Sequence, residues 1–280
     1  GMNVFDSICH AFSTVAIGGF SNHDASLGYF NSPMVNVVCT VFLLIAALNF
    51  SLHYAAVSSR SVKGYFKDPE FKAFFIIQAS LIGICFLVLT LSGYYTSAEQ
   101  ALDQAMIQAV SISTTAGFAT TDFSIWPTFL PIMLIFSSFI GGCASSTGGG
   151  LKVVRVCLLF LQGKREVDRL IHPKAVYSVK FGDRAMPDRV VEAVWGFFSA
   201  YAVVFVVLMI GLIATGLDNL SAFTATAAML NNLGPGLGSV AANYADVTDA
   251  GKWILVTGMV FGRLEVFSLL VLFSPTFWRS

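Results

Sequence analysis

Five apolar runs, at residues 34–54, 71–95, 129–160, 190–217 and 253–273, dominate a chain of 280 residues. Each reaches the roughly 20 residues that a helix needs to cross a hydrocarbon layer ~30 Å thick. In lipid the backbone must satisfy its own N–H and C=O groups, so the runs predict five membrane-crossing helices. Composition agrees: 56% of residues are hydrophobic and 11% charged, against about a quarter charged in soluble domains. Cys9, Cys39, Cys85, Cys143 and Cys157 fall in apolar or small-residue segments without CxxC spacing. They predict buried thiols, and neither a disulfide framework nor a zinc site.

Formal net charge is zero, yet the cations are clustered. Arg60, Lys63, Lys67 and Lys72 occupy one connector; Lys164, Arg165, Arg169, Lys174, Lys180, Arg184 and Arg189 occupy another. The positive-inside rule makes these connectors cytoplasmic. His23, Asp24, Glu99, Asp122, Asp218, Asp246 and Asp249 then lie on the outer side, with Lys252 as the basic exception. Trp126, Trp195, Trp253 and Trp278 fall near predicted helix ends and read as an interfacial belt.

Between the runs a pattern occurs three times, at residues 6–24, 103–122 and 218–240: a short amphipathic stretch, then a glycine-containing segment. Gly19-Phe20 aligns with Gly117-Phe118, and Gly234-Pro235 falls in the same place. With the orientation above, each copy enters the membrane from outside as a half-helix and returns as irregular backbone. Such backbone is tolerated at membrane depth only when buried in protein or lining water. Its carbonyls are then free to coordinate a dehydrated cation, and the half-helices aim their negative C-terminal ends at the same place. No carboxylate lies in the filter stretches themselves, at 17–19, 114–117 and 231–234, which points to a weakly hydrated monovalent ion and away from the acidic ring of a divalent-cation pore. The predicted filter residues are Ile17, Gly18 and Gly19; Thr114, Thr115, Ala116 and Gly117; and Asn231, Asn232, Leu233 and Gly234. Side-chain oxygens of Ser13, Thr14, Ser113, Thr114, Thr115, Asn231 and Asn232 either join the coordination or brace the loop. Asp6, Asp103 and Asp218 open the half-helices and read as N-caps, with attraction of cations to the outer mouth as the alternative.

Taken together, STVAIGGFS, STTAGFATTD, NNLGPG, GGCASSTGGGLKVVR and GRLEVF resemble the Trk/Ktr/HKT superfamily of cation transporters over nearly the whole chain. The resemblance implies an all-α membrane protein of the potassium-channel-like kind. Its units of helix, pore helix, filter loop and helix would surround one pore, with potassium held by filter carbonyls. Units two (from its pore helix), three and four are matched, at residues 1–60, 61–161 and 162–280. A fourth loop is then expected from an N-terminal repeat of the same protein, and the chain alone is expected not to form a working pore. Further implications are a bacterial inner-membrane location with lipid contact, a homodimer, and a cytosolic nucleotide-binding regulatory subunit docking on the cytoplasmic face, for which residues 162–189 are the candidate surface or else a solvated loop.

The run 129–160 is interrupted by Gly141, Gly142, Cys143, Ala144, Ser145, Ser146, Thr147, Gly148, Gly149 and Gly150. Small residues serve close helix packing, but each helical glycine costs ~1 kcal/mol relative to alanine, so a broken helix with an intramembrane loop is predicted. In the resembling family that loop is the gate. Arg263 lies far enough along the last run to sit near the bilayer middle. A charge there is expected to be pore-facing or paired, either bonded to loop carbonyls or acting as an electrostatic barrier, the role the resemblance favours.

No GxxxxGK[ST], HExxH or Ser/His/Asp set is present, so neither nucleotide, nucleic acid nor enzymatic chemistry is expected. His10, His23 and His53 carry no metal spacing and receive no role. A secondary transporter with broken helices and a non-conducting membrane scaffold remain the competing classes.

Overall fold

The computed structural model describes residues 1–175, 177–272, 274–275 and 277–279. Its elements are helices apart from one hairpin of two-residue strands, β1 (Lys180–Phe181) antiparallel to β2 (Arg184–Ala185). In chain order the helices are α1 (Val4–Val15), α2 (Pro33–Ala46), α3 (Phe50–Ser59), α4 (Lys63–Lys67), α5 (Pro69–Leu91) and α6 (Ala98–Ser113). They continue with α7 (Leu130–Ser138), α8 (Val153–Ile171), α9 (Asp188–Ala214), α10 (Asn219–Leu230), α11 (Asp249–Arg263) and α12 (Val266–Leu272).

The expectation of five membrane-crossing helices, of which the third alone is broken, needs correction. Among the described residues, only α5 and α9 are single helices long and apolar enough to span a bilayer. The first run bends by 89° between α2 and α3, and the last by 107° between α11 and α12; its final residue, Phe273, lies outside the described residues. Local chemistry explains the breaks. Asn49 caps α3 by accepting the Ser51 N–H at 2.9 Å inside an apolar stretch, which starts a new helix in a new direction. At the second bend Glu265 adopts φ +60°, a left-handed conformation that ends helices. The third run breaks as predicted: α7 stops at Ser138, and α8 begins only at Val153. The connector 162–189 is less loop-like than expected, because α8 runs on to Ile171. Val179 just before the hairpin packs with Leu158, Val191 and Val194.

Three similar units follow one another. Short α1 packs against α2; α6 packs between α5 and α7; α10 packs between α9 and α11. Across units α2 rests on α6, and α7 rests on α10 in the same way. The same order of contacts thus recurs between successive units. The core lies along α6 and α10, where Ala105, Ala109, Ala222, Ala225, Ala227 and Ala228 are fully buried. Alanine at these positions lets neighbouring helix backbones approach closely.

The caps of the short helices differ from expectation. Asn3, Ser97 and Asp218 accept the N–H groups of Asp6, Gln100 and Ser221 at 2.8, 3.2 and 3.1 Å. Of the three aspartates, therefore, only Asp218 is an N-cap. Asp6 sits in the first turn of α1 and pairs with His23 at 3.2 Å, and Asp103 lies inside α6, accepting the Asn36 amide at 2.7 Å. Hydrogen bonds from Ser221 hold the Asp218 carboxyl below its ordinary range. The cap is therefore intact at neutral pH and fades only as acidification passes that lowered pKa. Asp218→Ala is expected to lower stability by about 1 kcal/mol, read as an earlier thermal unfolding in detergent at neutral pH. An unchanged transition counts against the cap.

Trp126 also departs from its reading. It is buried in the core, whereas Trp195, Trp253 and Trp278 are exposed as interfacial residues would be.

Candidate functional site

The ends of α1, α6 and α10 repeat one backbone geometry. At the end of α1 the N–H groups of Ala16, Ile17 and Gly18 donate to Phe12, Thr14 and Ser13 carbonyls at 3.0, 3.1 and 2.8 Å. After α6 the N–H groups of Thr114, Thr115 and Ala116 donate to Val110, Ile112 and Ser111 at 3.0, 3.0 and 2.8 Å. After α10 those of Asn231, Asn232 and Leu233 donate to Ala227, Met229 and Ala228 at 3.0, 3.1 and 2.7 Å. Each helix thereby closes in a 6→1 cap with a left-handed residue. That residue is Ile17 (φ +51°), Thr115 (+68°) or Asn232 (+58°), and a left-handed glycine follows two positions later: Gly19, Gly117 or Gly234. Left-handed Ile and Thr are costly and persist only where surrounding structure over-determines them. Alternating signs of φ turn successive peptide units the same way, which lines up backbone dipoles.

What those carbonyls do is the main feature of the site. Among the described residues, the oxygens of Ile17, Gly18 and Gly19, of Thr114 to Gly117, and of Asn231 to Leu233 accept no protein hydrogen bond. Buried carbonyls are rarely left so, and Thr114, Thr115, Ala116, Asn231 and Leu233 are all at most 3% exposed. Gly234 differs from its counterparts, because its carbonyl accepts the Tyr244 hydroxyl at 2.7 Å. No group of three His, Cys, Asp or Glu able to hold a metal ion occurs among the described residues.

The side chains brace. The Thr114 hydroxyl donates to Val110 O at 2.7 Å, and Thr115 Oγ1 accepts the Gly149 N–H at 2.7 Å. Asn231 accepts from the Tyr201 hydroxyl at 2.6 Å and donates to Ser138 Oγ at 2.9 Å; Ser113 donates to Gln78 at 2.9 Å. The outgoing strands are tied back to the short helices: Ser111 Oγ donates to Phe118 O at 2.8 Å, and Leu237 N–H to Thr224 Oγ1 at 3.0 Å. His10, given no role by sequence, does the same for the first copy, with ring nitrogens against Asp6 O at 2.8 Å and Ser21 Oγ at 2.9 Å. Only its burial reveals this.

The loops abut in chain order. A Cβ on Gly19 would collide with the Ala116 carbonyl, and one on Gly117 with the Leu233 carbonyl, both inside 3.0 Å. A Cβ on Gly234 would meet nothing within 4 Å. On the opposite flank, α1 exposes Val4, Phe5, Ile8, Phe12 and Val15, an apolar stripe at helical spacing.

Residues 141–150 lie directly against the ends of the short helices. Thr147 Oγ1 donates to Val15 O at 3.1 Å, while a Cβ on Gly148 or Gly149 would strike the carbonyl of Thr114 or Asn231. Val153 N–H donates to Gly142 O at 3.0 Å and Cys143 N–H to Ala47 O at 2.8 Å, fixing the base of the loop. The Lys152 ammonium bonds the Gly148 carbonyl and lies 3.4 Å from Ser146 O. Arg263 is the last residue of α11 rather than the middle of a continuous span, and its guanidinium donates to Thr147 O at 3.0 Å. Glu265 pairs instead with Arg155 through two 2.9 Å bonds, and Arg155 stacks over Phe197 at 4.3 Å. These groups border a cavity of about 390 Å³. Sequence reasoning missed Glu70 and Tyr244, since neither a first-turn glutamate nor an outer-loop tyrosine carries a signal without the fold.

Apolar helices, repeated short helices and ordered irregular backbone between them define an all-helical membrane protein of the transport class. The TrkH cation transport protein family model matches residues 1–280, and the chain belongs to that family. The Trk system potassium uptake proteins TrkH of Vibrio parahaemolyticus and Salmonella typhimurium are 64% and 60% identical over the full chain. The crystal structure of the potassium transporter TrkH from Vibrio parahaemolyticus superposes with a TM-score of 0.95 at 64% identity, covering 100% of this chain and 60% of that one. The chain spans 58% of the length of these curated relatives. The superfamily resemblance read from the loop motifs is thereby borne out.

Proposed function

We propose that this chain supplies three of the four units of a potassium-uptake pore, with the carbonyls of Ile17, Gly18 and Gly19, Thr114 to Gly117, and Asn231 to Leu233 coordinating the ion. The carrying observation is the threefold recurrence of one helix cap followed by buried carbonyls that accept no protein hydrogen bond. Such oxygens suit a dehydrated monovalent cation, and three helix C-termini add partial negative charge at the same place. The relatives' names supply potassium as the ion. Gly234 is the weakest ligand of the predicted set, because Tyr244 already occupies its carbonyl.

A fourth unit fits between α11 and α1. Rotating the α2-on-α6 and α7-on-α10 contacts by one further step would cover the bare stripe of α1 and place a loop beside Gly234. On this reading residues 1–60, 61–161 and 162–280 are the successive units. An inverted-repeat transporter fits less well, since the three copies share one direction and one cap. The family resemblance further supports a bacterial inner-membrane homodimer with a cytosolic nucleotide-binding regulatory subunit.

Residues 141–150 serve as the gate, seated under the filter and held by Arg263 and Lys152. Arg263 then combines both roles weighed from sequence: it bonds a loop carbonyl and places a positive charge below the filter. Arg263→Ala in the full-length polypeptide is expected to raise potassium flux into proteoliposomes about tenfold. Two unit charges about 10 Å apart interact by roughly 1.7 kcal/mol at an effective dielectric of ~20, which sets the scale of the effect. Unchanged flux from correctly assembled protein overturns the barrier role.

A further inference from the structure

The sequence Asp68-Pro69-Glu70 is an ordinary helix start: Asp68 caps α5 by accepting the Phe71 N–H at 2.8 Å, and proline occupies the first turn. A glutamate in that turn normally faces water and gains a little from the helix dipole. Glu70 instead is 5% exposed, and among the described residues no Lys, Arg or His forms an ion pair with it. A buried carboxylate without a cation needs strong donors. Glu70 has two on a single oxygen: Oε1 accepts the Ala144 N–H at 2.7 Å and the Val154 N–H at 3.1 Å.

The identity of the donors is informative. Ala144 lies within the loop 141–150, and Val154 lies in the first turn of α8, the helix that leaves it. The α8 N-cap, Lys152, has φ +80° and offers no side-chain cap. Val154 is therefore one of the orphan N–H groups at a helix start, and a carboxylate from another helix caps it. The dipole of α8 favours the same negative charge. One oxygen atom thus ties the loop to its exit helix and ties both to α5. Displacing the loop breaks a charge-assisted bond and leaves a buried carboxylate under-satisfied.

We propose that Glu70 is the positioning residue that keeps the loop seated beneath the filter. Its link to conduction rests on the gate reading above, whereas its link to loop position does not. The two are separated by pairing a labelling measurement with flux. Cys143 lies in the loop next to Ala144 and is 1% exposed; Cys85 lies in α5 and is fully buried. In the full-length polypeptide, Glu70→Ala is expected to speed maleimide labelling of Cys143, mapped by mass spectrometry, on the order of tenfold, as loss of charge-assisted hydrogen bonds implies. Cys85 is expected to stay unlabelled. Glu70→Gln keeps an acceptor oxygen and should fall between alanine and the parent.

Unchanged Cys143 labelling in Glu70→Ala overturns the proposal and leaves the gate reading standing. Equal gains at Cys143 and Cys85 overturn it as well, because they report general loss of packing. Faster Cys143 labelling with unchanged potassium flux upholds Glu70 as the loop's anchor and removes the gate role from the loop.

Discussion

Gly149→Ala is expected to conduct cations faster than the parent, by at least an order of magnitude. Gly149 presses against the end of α10 so closely that an added Cβ would overlap the Asn231 carbonyl, with Thr115 Oγ1 3.1 Å away. That carbonyl cannot yield easily: Asn231 is held by Tyr201 and Ser138 and sits at the root of the third loop. The loop 141–150 is the softer partner, and the methyl group drives it away from the filter. Leaving its seat breaks the Gly149 N–H bond to Thr115 and the Thr147 bond to Val15. Overpacking a tight contact costs roughly 1–3 kcal/mol, and about 1.4 kcal/mol changes a population tenfold. Potassium flux into proteoliposomes is the measurement; flux equal to the parent's would mean that the loop does not occlude the path.

Gly117→Ser acts on a different contact, the one between the second and third loops. Gly117 has φ +83° and faces the Leu233 carbonyl, so a side chain meets both torsional strain of about 1–2 kcal/mol and a collision with a proposed ligand. The second loop moves, the third is pushed with it, and carbonyl oxygens lose their common spacing around the ion. Potassium-over-sodium preference is expected to fall on the order of tenfold, since selectivity depends on the number and placement of coordinating carbonyls. Parallel uptake of both ions tests this, and an unaltered ratio would take the second loop out of the filter. The two glycine variants separate the filter from the gate: Gly149→Ala should change flux with little change of ratio, Gly117→Ser the ratio.

Much of this was legible in the residues, and the illegible part has physical causes. The glycines at 19, 117 and 234 mark the loops because backbone requirements leave glycine in view of any reader, and the glycine-rich tract at 141–150 announces its break the same way. The start of the third half-helix is legible because Asp218, which opens the copy at 218–240, does cap it. The bends at Asn49 and Glu265 were not legible. Both arise where one polar side chain or one left-handed residue interrupts an apolar run whose composition does not change. Asp6 and Asp103 look like caps from their position, yet tertiary partners, His23 and Asn36, decide their roles. Glu70 is invisible for the same reason: its two donors are 74 and 84 positions further along the chain.

The stepwise contacts between units also bear on how the molecule is made. Because α6 rests on α2 and α10 rests on α7, α6 and α10 each emerge from the ribosome after a surface that receives them. A re-entrant helix is a poor guest in lipid until it is enclosed, so synthesis from the N-terminus offers each one shelter on arrival. The loop 141–150 breaks this order. It touches the end of α10 and is fastened by Arg263, both of which are made long after it. The loop is therefore seated last, once α10 and α11 are in place.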